Sequence, residues 1–188
     1  SLGTTALEAV GRIGDPSAIE PLCRELVRED RYPQRDAILS AAGECLARAG
    51  SEAPRLRDPE LTAAFRKEPF RRYLRECLVS EDAGLKAAAS RLVRAYGDAS
   101  LYPGLVEHLD DPALAAETVS FLGAVSGADG VEALLRAAAA HARAGVRSAA
   151  LWVLGLRTEA WGDAIITAAL ADADPGVLAS AVRGPARR

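Results

Sequence analysis

A phrase recurs along this chain of 188 residues: an alanine-rich run, then Gly-Asp or a near copy, then another apolar run. It stands as Ala9-Val10-Gly11-Arg12-Ile13-Gly14-Asp15-Pro16, as Arg94-Ala95-Tyr96-Gly97-Asp98 and as Phe121-Leu122-Gly123-Ala124-Val125-Ser126-Gly127-Ala128-Asp129. Leu46-Ala47-Arg48-Ala49-Gly50 is a weaker echo. Between Gly14, Gly50, Gly97 and Gly127 the spacings are 36, 47 and 30 residues. Periods of that size belong to stacked helical hairpins, none of which buries its apolar face alone.

Apolar residues at three- and four-residue spacing fill the segments between these marks, and strand-like alternation is absent. The pattern predicts helices at about Thr4–Ile13, Pro16–Arg28, Gln34–Ala49, Glu60–Phe65, Phe70–Val79 and Ala83–Tyr96. It predicts further ones at about Ser100–Leu109, Ala113–Val125, Gly130–Ala144, Val146–Leu156, Trp161–Ala171 and Pro175–Arg183. In the Gly14-Asp15-Pro16 turn, Gly suits a left-handed C-terminal residue, Asp caps the next helix and Pro opens it. Residues 51–69, with Pro54, Pro59 and Pro69, break the rhythm and read as an irregular insertion.

Composition narrows the function classes. Half the residues are apolar but only 5% aromatic, so the core must be packed from Ala, Leu and Val. A net charge of -3 is not the strongly basic balance of a dedicated nucleic-acid binder. Cys23, Cys45 and Cys77 lack metal-binding or redox spacing and read as reduced thiols in helix cores, which points to the cytoplasm. No apolar run is long enough for a membrane span.

The repeats resemble the HEAT family, particularly its short bacterial kind first associated with phycobilin lyases. Ala6-Leu7-Glu8-Ala9-Val10-Gly11-Arg12-Ile13-Gly14-Asp15-Pro16-Ser17-Ala18-Ile19 and Val146-Arg147-Ser148-Ala149-Ala150-Leu151-Trp152-Val153-Leu154-Gly155 carry the likeness. Leu109-Asp110-Asp111-Pro112 and Leu170-Ala171-Asp172-Ala173-Asp174-Pro175 resemble the turn inside such a hairpin. The resemblance implies an all-α fold, a right-handed α-solenoid of about five HEAT-like helical hairpins. Residues 1–188 then form a single array, a fragment of a longer protein, with the second helix of each hairpin lining a concave face. The motif is specific for fold and nearly silent on function.

Chemistry is hard to find in this sequence. His108 and His141 lie far apart with no cysteine near either, so no metal is expected; Glu107, His108, Asp110 and Asp111 read as a solvated helix end. Ser120, Ser126 and Ser148 have no nucleophile elbow, and the glycines form no phosphate loop, so neither catalytic residues nor a cofactor are expected. The Asp-Pro pairs recur at turns, and a residue needed once per repeat is structural. The chain is therefore expected not to be an enzyme. Bilin-lyase accessory work is a remote alternative that the family resemblance alone suggests.

Binding is the leading expectation: a scaffold or adaptor that holds a protein or peptide partner in its groove. Aligning the second helices puts Glu8, Glu44, Arg91, Ser120 and Trp152 at one outward position, with Arg12, Arg48, Ala95, Ala124 and Leu156 four residues on. The apolar pair Trp152 and Leu156, with Ser120, Ser148 and Arg91, forms the candidate patch. The competing reading packs Trp152 near Trp161 as core, and Arg147 reads as the partner of a turn aspartate. The alternative function is nucleic-acid binding by Arg66, Lys67, Arg71, Arg72 and Arg75, with Phe65 and Phe70 stacking bases. Glu60, Glu68 and Glu76 between them suggest instead a surface paired with itself.

Overall fold

The computed structural model describes residues 3–28, 33–50, 58–125 and 131–183. All regular structure among them is helical, and none of these helices is long and apolar enough to cross a membrane. The chain divides into two compact units, Ser1–Leu101 and Tyr102–Arg188.

The first unit holds α1 (Thr4–Ile13), α2 (Ile19–Leu26), α3 (Arg35–Ala49), α4 (Pro59–Phe65), α5 (Glu68–Leu78) and α6 (Ala83–Tyr96). Here α3 packs on α1, α2 and α6, and α5 packs back on α6. Its buried residues on α3, Ile38, Leu39, Ala42, Cys45 and Leu46, follow helical spacing. Full burial of one such leucine contributes about 2 kcal/mol. The second unit holds α7 (Pro103–Val106), α8 (Ala115–Ala124), α9 (Val131–Ala139), α10 (Ala144–Gly155), α11 (Trp161–Ala169) and α12 (Pro175–Arg183). Here α10 is central, packed against α8, α9, α11 and α12.

One device starts helices in both units. The side chains of Asp15, Asp58, Asp82, Asp98, Asp111 and Asp174 each accept a hydrogen bond from the backbone N–H two residues on. Each satisfies a donor that the helix or turn start leaves orphaned. At the other end, Gly14 and Gly97 take φ of 69° and 76° and return their N–H to Val10 and Val93. A side chain is strained there, which is why the phrase ends in glycine.

The helix reading fails where proline intervenes. The stretch Pro16–Arg28 opens as a 3-10 turn, Pro16–Ala18, before α2 begins. The expected helix Ser100–Leu109 is a 3-10 turn, Ala99–Leu101, then the single turn of α7. A helix can start at Pro103 but not run through it, and Gly104 follows at once. Of the expected insertion, residues 51–57 lie outside the described residues, as does Gly127. The described part of that stretch holds α4, where a short helix was expected at Glu60–Phe65, and the start of α5.

Arg147 links three elements of the second unit. Its Nε and Nη2 fork onto the Asp172 carboxylate at 2.8 and 2.9 Å, while Nη1 donates to the carbonyls of His141 and Ala142. The bond from Arg147 first, and then the N–H of Asp174, hold the Asp172 carboxyl below its ordinary range. A lowered folded pKa stabilises the protein above the ordinary carboxylate range, and the stabilisation is lost as pH falls through the folded value. Asp172→Asn should therefore unfold at a lower temperature than the parent near neutral pH, with the gap narrowing below the carboxylate range. Thermal unfolding of both chains across acid pH checks this; a gap that pH does not change would contradict it.

Candidate interaction site

α8 and α10 lie side by side, and their facing residues are mostly too small to fill the space between them. The result is an open-sided pocket of about 460 Å³, lined by Leu109, Ala115, Ala116, Val119, Ser120, Ala149, Trp152 and Leu156. Leu109 is its buried lining residue, Trp152, Leu156 and Val119 are its larger partly exposed ones, and Ser120 is the one hydroxyl. Trp152 is half-buried and Leu156 is 47% exposed. Leu156 rests on Gly123: a Cβ built there would come within 2.8 Å of the leucine Cδ1.

The far wall is fixed by the residue that follows Leu156. Arg157 is 5% exposed, and its Nη1 donates to the carbonyls of Leu122 and Val125 at 2.8 and 2.7 Å. The first carbonyl belongs to the last turn of α8 and the second to its C-terminal cap, where intrahelical donors run out. Nη2 bonds Glu159, and the guanidinium lies over the Trp161 ring at 5.7 Å. This role leaves no local pattern, because the two carbonyl bonds join residues more than thirty positions apart.

Of the residues expected in the patch, Trp152, Leu156 and Ser120 line this pocket together. Ser148 does not. It lies one position round from Ala149, and its hydroxyl lies 4.0 Å from where a Cβ on Gly176 of α12 would stand. Arg91 lies on α6 in the first unit and is half-buried. Leu109, Ala115, Ala116, Val119 and Ala149 were missed, although Ala116 and Ser120 at i,i+4 mark the same face of α8. A smaller hollow of about 330 Å³ between α9 and α11 is lined mainly by alanines, with Arg136 and Asp172 at its rim. Both rim residues are already ion-paired, to Glu132 and Arg147.

The polar cluster near α7 differs from expectation. His108 is 2% exposed and so is no part of a solvated helix end. Glu107 instead meets His141 at 3.2 Å and Arg143 at 2.7 Å, and Arg143 also reaches Asp110 at 3.2 Å. The Nδ1 of His141 accepts the Arg143 backbone N–H, so its Nε2 carries the proton and donates to Glu107. Among the described residues no group of three His, Cys, Asp or Glu side chains is arranged to hold a metal ion. The three cysteines are free and buried, and burial pushes the Cys23 thiol up to about 12 and that of Cys77 to about 11. Neither is a thiolate at neutral pH.

The basic segment is built as a paired surface. Arg71 bridges Asp98 at 3.0 Å, Arg75 bridges Glu68 at 3.0 Å, and Arg72 stands 4.0 Å from Glu76. Arg66 and Lys67 are exposed at the α4–α5 junction. Phe65 and Phe70, expected to stack on bases, are 0% and 4% exposed and stack on each other at 4.6 Å. They are core, because α4 and α5 meet through them.

No family model matches this chain, and no curated protein matches it. Among solved structures it is similar to human deoxyhypusine hydroxylase in complex with glycerol, with a TM-score of 0.48 and 22% identity. The similarity covers 98% of this chain and 66% of the hydroxylase chain. That structure is of an enzyme, and with it the expectation that this chain is not an enzyme is corrected. Local motifs are a poor ground for that exclusion in an all-helical chain, where a site can be assembled from side chains on several helices. The hydroxylase activity itself is stated of that protein alone.

Proposed function

We propose that this chain is a HEAT-like α-solenoid module that holds a protein or peptide partner, with the pocket between α8 and α10 receiving an apolar side chain of that partner. The observation that carries the reading is a half-buried tryptophan beside a leucine 47% exposed, both walls of one open apolar pocket. Large side chains are left in water where a partner completes their burial, and tryptophan is the residue type most enriched at such anchor points. The solenoid part of the proposal rests on the helical hairpins of both units, with aspartate starts in each and glycine ends at Gly14 and Gly97 in the first. No cation lines the pocket, so a phosphate backbone has nothing to pair with there. The three unbridged, buried thiols support the cytoplasm as its compartment.

Selection of an unbiased displayed peptide library on the parent chain tests the proposal. Peptides with a recurrent large apolar residue are expected, and Trp152→Ala should weaken them at least about tenfold, the scale of an interface anchor. Ala116→Phe, which fills the pocket from an exposed position, should weaken them without removing any wall. Peptides that bind both variants as well as the parent would overturn the assignment.

A further inference from the structure

We infer that the segment seated in the α8–α10 pocket, on the partner-binding function proposed for it, is an amphipathic helix of the partner with a basic flank at the Leu109 end. The pocket offers surface to side chains and almost no hydrogen bonds. Ser120 carries the one hydroxyl among its lining residues, and no charged side chain lines it. The backbone around it is already committed. The Asp111 carboxylate takes the N–H of Ala113 before α8, and the Nδ1 of His141 takes that of Arg143 before α10. At the far end Arg157 takes the carbonyls of Leu122 and Val125, and the N–H groups of Leu156 and Arg157 close onto Val153 and Leu154. An extended segment pressed in here would bury its own N–H and C=O groups against alanine and leucine, with no partner for them. A helix satisfies those groups internally and presents only side chains, the helix-in-groove mode of recognition.

Length and charge narrow that helix further. From Ala149 to Leu156 the α10 wall runs seven residues, two turns or about 10 Å. A partner helix lying along it covers the same length with apolar residues at i, i+4 and i+7, and about 460 Å³ has room for more than one of them. Beyond the Leu109 end stands Asp110, packed on Gly145 one turn before Ala149: a Cβ on that glycine would come within 2.9 Å of the Asp110 Cβ. Glu107 and Asp110 there share a single guanidinium, that of Arg143, so their pairing leaves one negative charge in excess. His141 adds no positive charge, since its Nδ1 accepts the Arg143 N–H. Arg147 is committed to Asp172, and Arg157 lies buried at the opposite end. Lysine or arginine on the partner, next to its apolar stripe, meets this excess.

Peptides selected on the parent chain, synthesised and titrated against it by fluorescence anisotropy, test the inference. Their apolar residues should recur at spacings of three and four, beside basic ones, and circular dichroism should show helix gained on binding. Proline placed inside the apolar stretch should weaken the tightest peptide about tenfold or more. Glu107→Gln, at a carboxylate 49% exposed, should weaken it severalfold and flatten the loss of affinity between about 0.05 and 0.5 M salt. Peptides that depend on Trp152 yet tolerate the proline, or carry their apolar residues at alternate positions, would overturn the helix and leave the pocket as the partner's seat. Binding indifferent to salt and to Glu107→Gln would overturn the basic flank. A selection without any peptide that depends on Trp152 would overturn the seat itself, and the helix with it.

Discussion

Gly43→Val should be among the most destabilising single substitutions in this chain, lowering stability by about 3 kcal/mol, the upper end of overpacking costs. Gly43 sits mid-helix in α3, where glycine is about 1 kcal/mol worse than alanine, so propensity alone predicts that a side chain helps. Packing reverses the sign. A Cβ at Gly43 would stand 2.5 Å from the Ala88 Cα on α6 and closer still to its Cβ. Backbone cannot step aside as a flexible side chain can, so α3 and α6 must separate, and the close contact between them is lost along its length. Gly43→Ala should already be destabilising, by about 1–2 kcal/mol after the propensity gain. Ala88→Gly should recover only part of that loss, because the Ala88 Cα remains in the way. Urea unfolding followed by circular dichroism reads all three, and a Gly43→Ala chain more stable than the parent would show that the helices do not meet here.

Arg157→Leu is expected to cost about 3 kcal/mol, since it strips two carbonyls of their donor and leaves the Leu122 carbonyl buried without one. Leucine keeps the apolar stem and removes the fork, which isolates the hydrogen bonds from the packing. Arg157→Lys should recover less than half, because an ammonium cannot reproduce the planar fork of a guanidinium. Glu159→Gln should cost far less: its carboxylate is 38% exposed, and the carbonyl bonds of Arg157 survive the change. Trp152 and Trp161 both lie in the second unit, so tryptophan emission reports its unfolding directly. Equal losses for Arg157→Leu and Glu159→Gln would mean that the ion pair, not the helix-end carbonyls, is what Arg157 serves.

Much of the helix order was legible because punctuation and periodicity agreed. α1 and α6 begin and end, and α12 begins, where glycine, aspartate and proline say they should. Ser100–Leu109 was misread because the apolar spacing continues across Pro103, and the missing N–H there outweighs it. Phe65 and Phe70 looked available for stacking only because sequence does not say that each faces the other. The partner patch was legible in part. Aligning helices put Ser120 and Trp152 at one position and Leu156 one turn on along the same face, but a helix turns by about 100° per residue, and that separates Ser148 from Ala149. Gly43 against Ala88 and Arg157 against the end of α8 left no local trace, since each depends on residues more than thirty positions away.

The proposed function turns on whether the pocket between α8 and α10 is where a partner seats. The most direct measurement uses a Trp161→Phe chain, in which Trp152 is the single tryptophan. Acrylamide quenching and the emission maximum are recorded before and after saturation with a peptide selected on the parent. Half-buried and facing an open pocket, Trp152 should be quenched readily when free, then shielded and blue-shifted on binding. A saturated complex in which the Trp152 emission and its quenching are unchanged would contradict the account, because the partner would then be held elsewhere.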